Sequence, residues 1–273
     1  MSVINTNVNA LVAASALTTI DKQMSKAMTE LSTGTQLASS ANNAAGSAIV
    51  NRMTAQINGL QQAIKNANDG INMLQTADGA TNTVVSILQR MRELTVQASN
   101  GTYSSSDKTN MNTEFTKLSG QITQIATATK WNGLSILSSS TSSGQTYTLQ
   151  VGADSTSGNT TSVTIGGFTL KALGLSTITS VGASGALSTL SAALDTVGNA
   201  KATIGAEINT LNYTVDNLTQ ISTNVSQSKS TISDTDYSEA TAELSRTQII
   251  KQAATAMLAQ ANQQPQSVLT LLK

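Results

Sequence analysis

Apolar side chains recur along most of this 273-residue chain in alternating steps of three and four, the spacing that places them on one face of an α-helix. The first series is Leu17, Ile20, Met24, Ala27 and Leu31, with Ile4, Val8 and Leu11 ahead of it. A second runs Met53, Ile57, Leu60, Ile64, Ala67, Ile71 and Leu74, then resumes in a different phase as Val84, Ile87, Met91, Leu94 and Ala98. Together these predict one helix over about 44–98, roughly 80 Å long at 1.5 Å per residue. Asn100-Gly101 offers a turn. A third helix is predicted after Asp107 on the stripe Met111, Phe115, Leu118, Ile122 and Ile125. The most regular stripe is Leu190, Leu194, Val197, Ile204, Ile208, Leu211, Val215, Leu218 and Val225, with one polar break at Lys201. The last helix carries Ile250, Ala254, Met257, Leu258 and Ala261, and the tail ends with Leu269, Leu271 and Leu272.

The period changes in the middle. Tyr147, Leu149 and Val151 alternate with polar residues, as do Val163 and Ile165, around a polar loop from Gly152 to Gly158. That alternation predicts a β-hairpin. A hairpin alone is marginal in water, so this one is expected to rest on the helices. The fold class read from the pattern is mainly α: a long antiparallel helical bundle or coiled-coil rod with a small β-hairpin insertion mid-chain. Three parts follow: terminal helical segments 1–43 plus 235–273, a helical rod of 44–137 plus 185–234, and the β insertion 138–184, expected to face outward and to accept a tag near Ser157. Both termini are expected at one end of the rod. The single proline, Pro265, leaves the long helices uninterrupted.

Charged residues make up 11% of the chain, against roughly 25% in ordinary soluble domains, and aromatics 3%. So few charges imply a surface largely hidden against neighbours. The formal net charge is zero, with no basic stripe for nucleic acid and no polybasic patch for membranes. No apolar run approaches the ~20 residues of a membrane span, so neither nucleic acid nor membrane insertion is expected. The N-terminus lacks the cationic and apolar regions of a signal peptide, leaving retention in the cell or export by a signal-independent machine. Histidine and cysteine are both absent, which removes the commonest general base, thiolate nucleophiles and most zinc sites. No enzyme, cofactor or metal site is expected. Glu239 and Glu243, at i, i+4, read as solvated charges at a helix start, and Asp234-Thr235-Asp236 as capping residues.

The two ends carry more specific strings. Asn5-Thr6-Asn7 opens the chain, and Ala44-Ala45-Gly46-Ser47-Ala48-Ile49 precedes Asn51-Arg52-Met53-Thr54. Then come Asn66-Ala67-Asn68-Asp69-Gly70-Ile71, Gln75-Thr76-Ala77-Asp78-Gly79-Ala80 and Gln89-Arg90-Met91-Arg92-Glu93-Leu94-Thr95-Val96-Gln97-Ala98. Asn132-Gly133, Asp234-Thr235-Asp236-Tyr237 and Leu258-Ala259-Gln260-Ala261-Asn262-Gln263-Gln264-Pro265-Gln266 follow. In this order, over roughly 1–135 and 185–273, they closely resemble the bacterial flagellins. The neutral stretch 35–43, where that family usually places charges, departs from the pattern.

The resemblance implies a secreted, extracellular subunit of the flagellar filament, used for motility and polymerised with itself head-to-tail into a helix. Its implied partners are further copies of itself, a flagellar export chaperone, the type III export apparatus, and hook-associated and cap proteins. A hook–filament junction protein shares such ends and is the nearest alternative; an intracellular coiled-coil scaffold is another. The terminal stripes Ile4, Val8, Leu11, Leu17, Ile20, Met24, Leu31, Ile250, Met257 and Leu258 have little to pack on within one chain, so they are expected to order on assembly. Resemblance further implies that released subunits meet the vertebrate flagellin-sensing Toll-like receptor through Gln89, Arg90, Glu93, Leu94 and Glu114. Arg90 and Leu94 share a helix face, although Leu94 also falls in the core stripe with Ile87 and Met91. Leu269, Leu271 and Leu272 resemble the C-terminal leucines read by mammalian inflammasome receptors; packing inside the filament is the competing role.

Overall fold

A computed structural model describes residues 6–154, 158–178 and 180–270, with 264–270 described by backbone alone. Of the described residues 72% are helical, and the long helices pack antiparallel, α2 with α4 and α1 with α5. The helices are α1 (Val8–Thr33), α2 (Ala44–Ser99), α3 (Ser105–Ala128), α4 (Ala186–Ser233) and α5 (Tyr237–Thr270). Between α3 and α4 lie two hairpins, β1 (Lys130–Trp131) with β2 (Leu134–Ser135) and β3 (Gln145–Gln150) with β4 (Thr160–Ile165). The chain divides into two compact units, Met1–Ala55 with Asn224–Lys273, and Gln56–Thr223.

In the unit of 56–223, α2, α3 and α4 share one hydrophobic core. The α2 stripe is unbroken: Leu60, Ala63, Ala67, Leu74, Ala77, Thr81, Val84, Leu88, Met91, Leu94 and Ala98 are all buried. The phase change expected after Leu74 therefore does not occur. Ala77 and Thr81 carry the register across, and Leu88, not Ile87, is the fully buried residue. Thr81 can sit there because its hydroxyl donates to the Ala77 carbonyl at 2.7 Å; Thr95 does the same to Met91 at 2.8 Å. A buried hydroxyl with a partner escapes the desolvation cost of an orphaned one. The Lys201 break is likewise occupied: its ammonium meets Asn82 Oδ1 and lies 3.8 Å from Asp78 Oδ1 on α2.

Helix α3 begins earlier than its stripe suggested, at Ser105. Ser104 caps it, accepting from the Asp107 N–H at 3.2 Å, and Asp107 Oδ2 accepts from the Ser104 N–H at 3.1 Å. These reciprocal bonds satisfy donors that a helix start leaves open. They hold the Asp107 carboxyl below its ordinary value, chiefly through the Ser104 hydroxyl.

The expected β3–β4 hairpin is present, and it sets Tyr147 opposite Val163 and Leu149 opposite Thr161. It rests on the helices. Any Cβ at Gly70 of α2 would run into Leu149, so the hairpin packs on a helix made bare at that point. Glu207 of α4 accepts from the Thr164 N–H at 2.8 Å, and its burial pushes the carboxyl pKa up. The connecting segments contribute more to the core than their composition suggested: Ile136, Leu137, Phe168, Leu173, Leu175 and Val181 are all buried in it. The loop tip around Ser157 lies outside the described residues.

Threonines along every long helix return their hydroxyl proton to the carbonyl one turn back. Thr29 to Ser25 at 2.8 Å, Thr76 to Asn72 at 2.9 Å, Thr116 to Asn112 at 2.8 Å, Thr210 to Ala206 at 3.0 Å and Thr241 to Tyr237 at 2.7 Å are examples.

Candidate functional site

The first candidate surface is the paired helices α1 and α5. Asn7 begins it by working in two directions. Its Oδ1 accepts from the Ala10 N–H at 3.0 Å, capping α1, and its Nδ2 donates to the Ala261 carbonyl of α5 at 2.8 Å. Farther along, Lys251 Nζ lies 2.8 Å from Asp21 Oδ1. The seam itself is narrow. Ala27, Ala240 and Thr247 are buried, and the Thr247 hydroxyl is satisfied by the Glu243 carbonyl at 2.8 Å. Leu17, Ile20, Met24, Leu31, Ile250 and Leu258 are half-buried along it. Val8, Leu11 and Met257 instead stand outward, 52%, 62% and 67% exposed. They are joined by Val12, Met28 and Ile249, which the periodicity passed over. Ile4, Leu269, Leu271 and Leu272 lie outside the described residues or have no described side chain.

Gly34 ends α1 with φ +69°, a left-handed turn that its missing Cβ permits. The turn is closed by the Thr235 N–H donating to the Gly34 carbonyl at 3.0 Å and the Gln36 N–H to the Ser233 carbonyl at 2.9 Å. Asp236 then caps α5, accepting from the Ser238 N–H at 2.8 Å. Glu243 is engaged by Arg246 at 2.6 Å, which holds its carboxyl below the usual range. Both carboxylates thus have structural partners.

The second candidate surface joins α2 and α3. Arg90 Nε donates to Glu114 Oε1 at 2.8 Å, and its Nη1 to Glu93 Oε2 at 3.2 Å. Gln89, Arg90, Glu93 and Glu114 are all exposed. Leu94 is not: at 2% exposure it belongs to the core with Met91 and Phe115. The expectation of an aliphatic anchor beside Arg90 is therefore corrected at this residue. The exposed aliphatic side chain nearby in sequence is Val96, which lines a shallow depression with Gln89, Arg92, Glu93 and Gln97. Helical geometry explains the difference, because Leu94 lies three residues from Met91 on the buried stripe while Val96 lies off it.

Residues 4–142 match the bacterial flagellin N-terminal helical region, and residues 187–272 match the bacterial flagellin C-terminal helical region. The chain belongs to the bacterial flagellin family. A flagellin of Halalkalibacterium halodurans is 40% identical over 256 residues, covering 92% of each chain. One of Xenorhabdus nematophila is 37% identical, covering all of this chain and 99% of its own. Among solved structures, the crystal structure of Bacillus cereus flagellin aligns with a TM-score of 0.49 and 28% identity, over 56% of this chain and 88% of that one. This flagellin is a structural subunit of the extracellular flagellar filament, assembles with copies of itself, and is not an enzyme. Among its described residues no helix is long and apolar enough to cross a membrane.

Proposed function

We propose that α1 and α5, within 1–43 and 235–273, are the polymerisation segment and line the filament's inner tube, with 44–137 plus 185–234 as the rod and 138–184 facing outward. The supporting observation is how many large apolar side chains stand exposed on the α1–α5 pair. Val8, Leu11, Val12, Met28, Ile249 and Met257 are exposed, whereas soluble monomers keep large apolar patches small. Burying such side chains stabilises an interface by about 25 cal/mol per Å². A heterologous contact of this kind propagates into a helix. The α1–α5 pair buries little by itself and completes its packing on assembly. Truncating 1–30 or 245–273 is expected to abolish filament growth while the unit of 56–223 still melts cooperatively. Loss of that melting would sink the proposal.

Export as an unassembled subunit by a chaperone and the type III apparatus, with growth at a tip organised by hook-associated and cap proteins, fits a surface that must stay uncovered until it is incorporated. Released subunits are also read by the vertebrate flagellin-sensing Toll-like receptor through Gln89, Arg90, Glu93 and Glu114, with Leu94 supporting the helix from beneath. The observation favouring this is that Glu114 and Glu93 hold the Arg90 guanidinium fixed at the surface, and a pre-set arginine is a common hot spot. The C-terminal Leu269, Leu271 and Leu272 serve inner packing and inflammasome recognition. Alanine at all three should weaken filaments and silence the cytosolic response; an unchanged response and unchanged filaments would remove both roles.

A further inference from the structure

The sequence holds eight methionines, and the fold sorts sharply the seven that lie among the described residues. Met73, Met91 and Met111 are buried in the core of the 56–223 unit, at 5%, 1% and 9% exposure. Met24 and Met53 are half-buried. Met257 and Met28 stand open at 67% and 54%, both on the α1–α5 pair. Met257 also lines a groove of about 450 Å³ between these helices, whose other walls are Val12, Ala13, Ala16, Ala254 and Ala261, with Asn9 and Gln260 completing the lining.

We propose that Met257 and Met28 are oxidation sites through which hydrogen peroxide blocks assembly of the free subunit. This inference rests on the reading of α1 and α5 as the polymerisation segment. The reaction needs only the thioether and the oxidant. A sulfur lone pair attacks one peroxide oxygen, the O–O bond breaks, an S–O bond forms, and the transferred hydroxyl gives up its proton to the departing hydroxide, which leaves as water. Sulfur is oxidised by two electrons and the peroxide is reduced by two. Exposure sets the order of attack, so Met257 and Met28 react before the core methionines. The sulfoxide replaces a flexible apolar side chain with a strongly polar one. At Met257 an incoming copy would then have to cover that S–O dipole in a groove walled mainly by alanine, with Asn9 and Gln260 the polar side chains of its lining, and covering a strongly polar group costs free energy unless each of its acceptor sites gains a donor. Subunits already assembled are shielded by the same contact. Oxidation therefore stops further growth and spares the existing filament.

The test uses the full-length subunit and seeded elongation. After mild hydrogen peroxide treatment, peptide mapping is expected to find sulfoxide at Met257 and Met28 while Met73, Met91 and Met111 remain reduced. Elongation of the treated subunit should fall at least several-fold, and methionine sulfoxide reductase should restore it. Peroxide treatment of a Met28→Leu, Met257→Leu subunit should leave its elongation unchanged, and assembled filaments should keep Met257 reduced. Treated wild-type subunit that elongates normally, or the double variant losing elongation equally, would overturn the inference. Ile249→Ser separates this from the underlying reading. If Ile249→Ser blocks elongation but peroxide does not, only the oxidation sites fail. If Ile249→Ser elongates normally, the polymerisation segment is wrongly assigned.

Discussion

In the unit of 56–223, leucine, isoleucine, methionine and phenylalanine fill the interior: Leu74, Leu88, Phe115, Ile122, Phe168 and Leu211 are each at most 3% exposed. In the unit of 1–55 with 224–273, the apolar side chains removed from solvent, among the described residues, are Ala27 and Ala240. The larger ones there are only half-buried along the α1–α5 seam, as Leu17, Ile20, Met24, Leu31, Ile250 and Leu258 are, or face outward. Burying a leucine is worth roughly 2 kcal/mol and an alanine methyl far less, so only the first unit can owe its stability to its own packing. The second places its apolar surface where another chain can reach it. One chain thus contains a region complete in itself and a region that, on the assignment proposed above, a neighbour completes.

The comparison breaks first at the core. Leu94→Ala is expected to destabilise the isolated subunit by about 2–5 kcal/mol in denaturant unfolding, because its side chain is fully enclosed. A loss below ~0.5 kcal/mol would mean that Leu94 acts at a surface. Next comes Gly144, whose φ is +74° and whose Cβ would overlap the Ile165 carbonyl. Gly144→Ala should cost roughly 1–3 kcal/mol, with thermal melting and amide exchange showing the loss concentrated in β3 and β4. On the other side of the comparison, Ile249→Ser should shift the subunit's unfolding free energy by no more than about 0.5 kcal/mol yet slow seeded elongation. Equal damage to both would place Ile249 in an internal core. Arg90→Ala should leave melting unchanged, since its ion pairs are solvated. It should raise the subunit concentration needed to trigger receptor-expressing cells by roughly tenfold; an unaltered response would remove Arg90 from the recognition surface.

The smallest expected effect is acid-dependent. The folded-state pKa of Asp107 is depressed by Ser104. Its contribution is therefore complete above the ordinary aspartate value of about 3.9 and is lost as pH falls through the lowered value. Amide exchange in the first turn of α3 should quicken over that range, and Ser104→Ala should abolish the dependence.

Helix positions and the β3–β4 hairpin were legible because long stripes and strict alternation are properties of the chain alone. Three features were not. Ala77 and Thr81 look like neutral residues, so the α2 stripe seemed to break where small side chains let helices approach. The β1–β2 hairpin is signalled by Asn132-Gly133, whose φ values of +47° and +82° form the mirror-image turn such hairpins favour, but its two-residue strands are too short to show alternation. The outward Val12, Met28 and Ile249 were hidden because a second apolar face on a paired helix blurs the periodicity of the first. The Arg90 cluster was half legible: Arg90 and Glu114 do meet, while the three-residue step from Met91 decides that Leu94 faces inward.

The threonines that return their protons to their own helices have a consequence for how this surface behaves when it is covered. A hydroxyl normally trades water for a new partner on contact, and an interface that supplies none is penalised. Here the partner travels with the residue. The donor half of each of these hydroxyls is therefore already satisfied, so covering one costs less than covering a hydroxyl bonded only to water. With only 11% of residues charged, added salt has little Coulombic attraction to screen. The Coulombic share of such a polymer's cohesion should therefore be small, leaving salt to act chiefly through the apolar contacts, which sulfate and similar excluded ions strengthen.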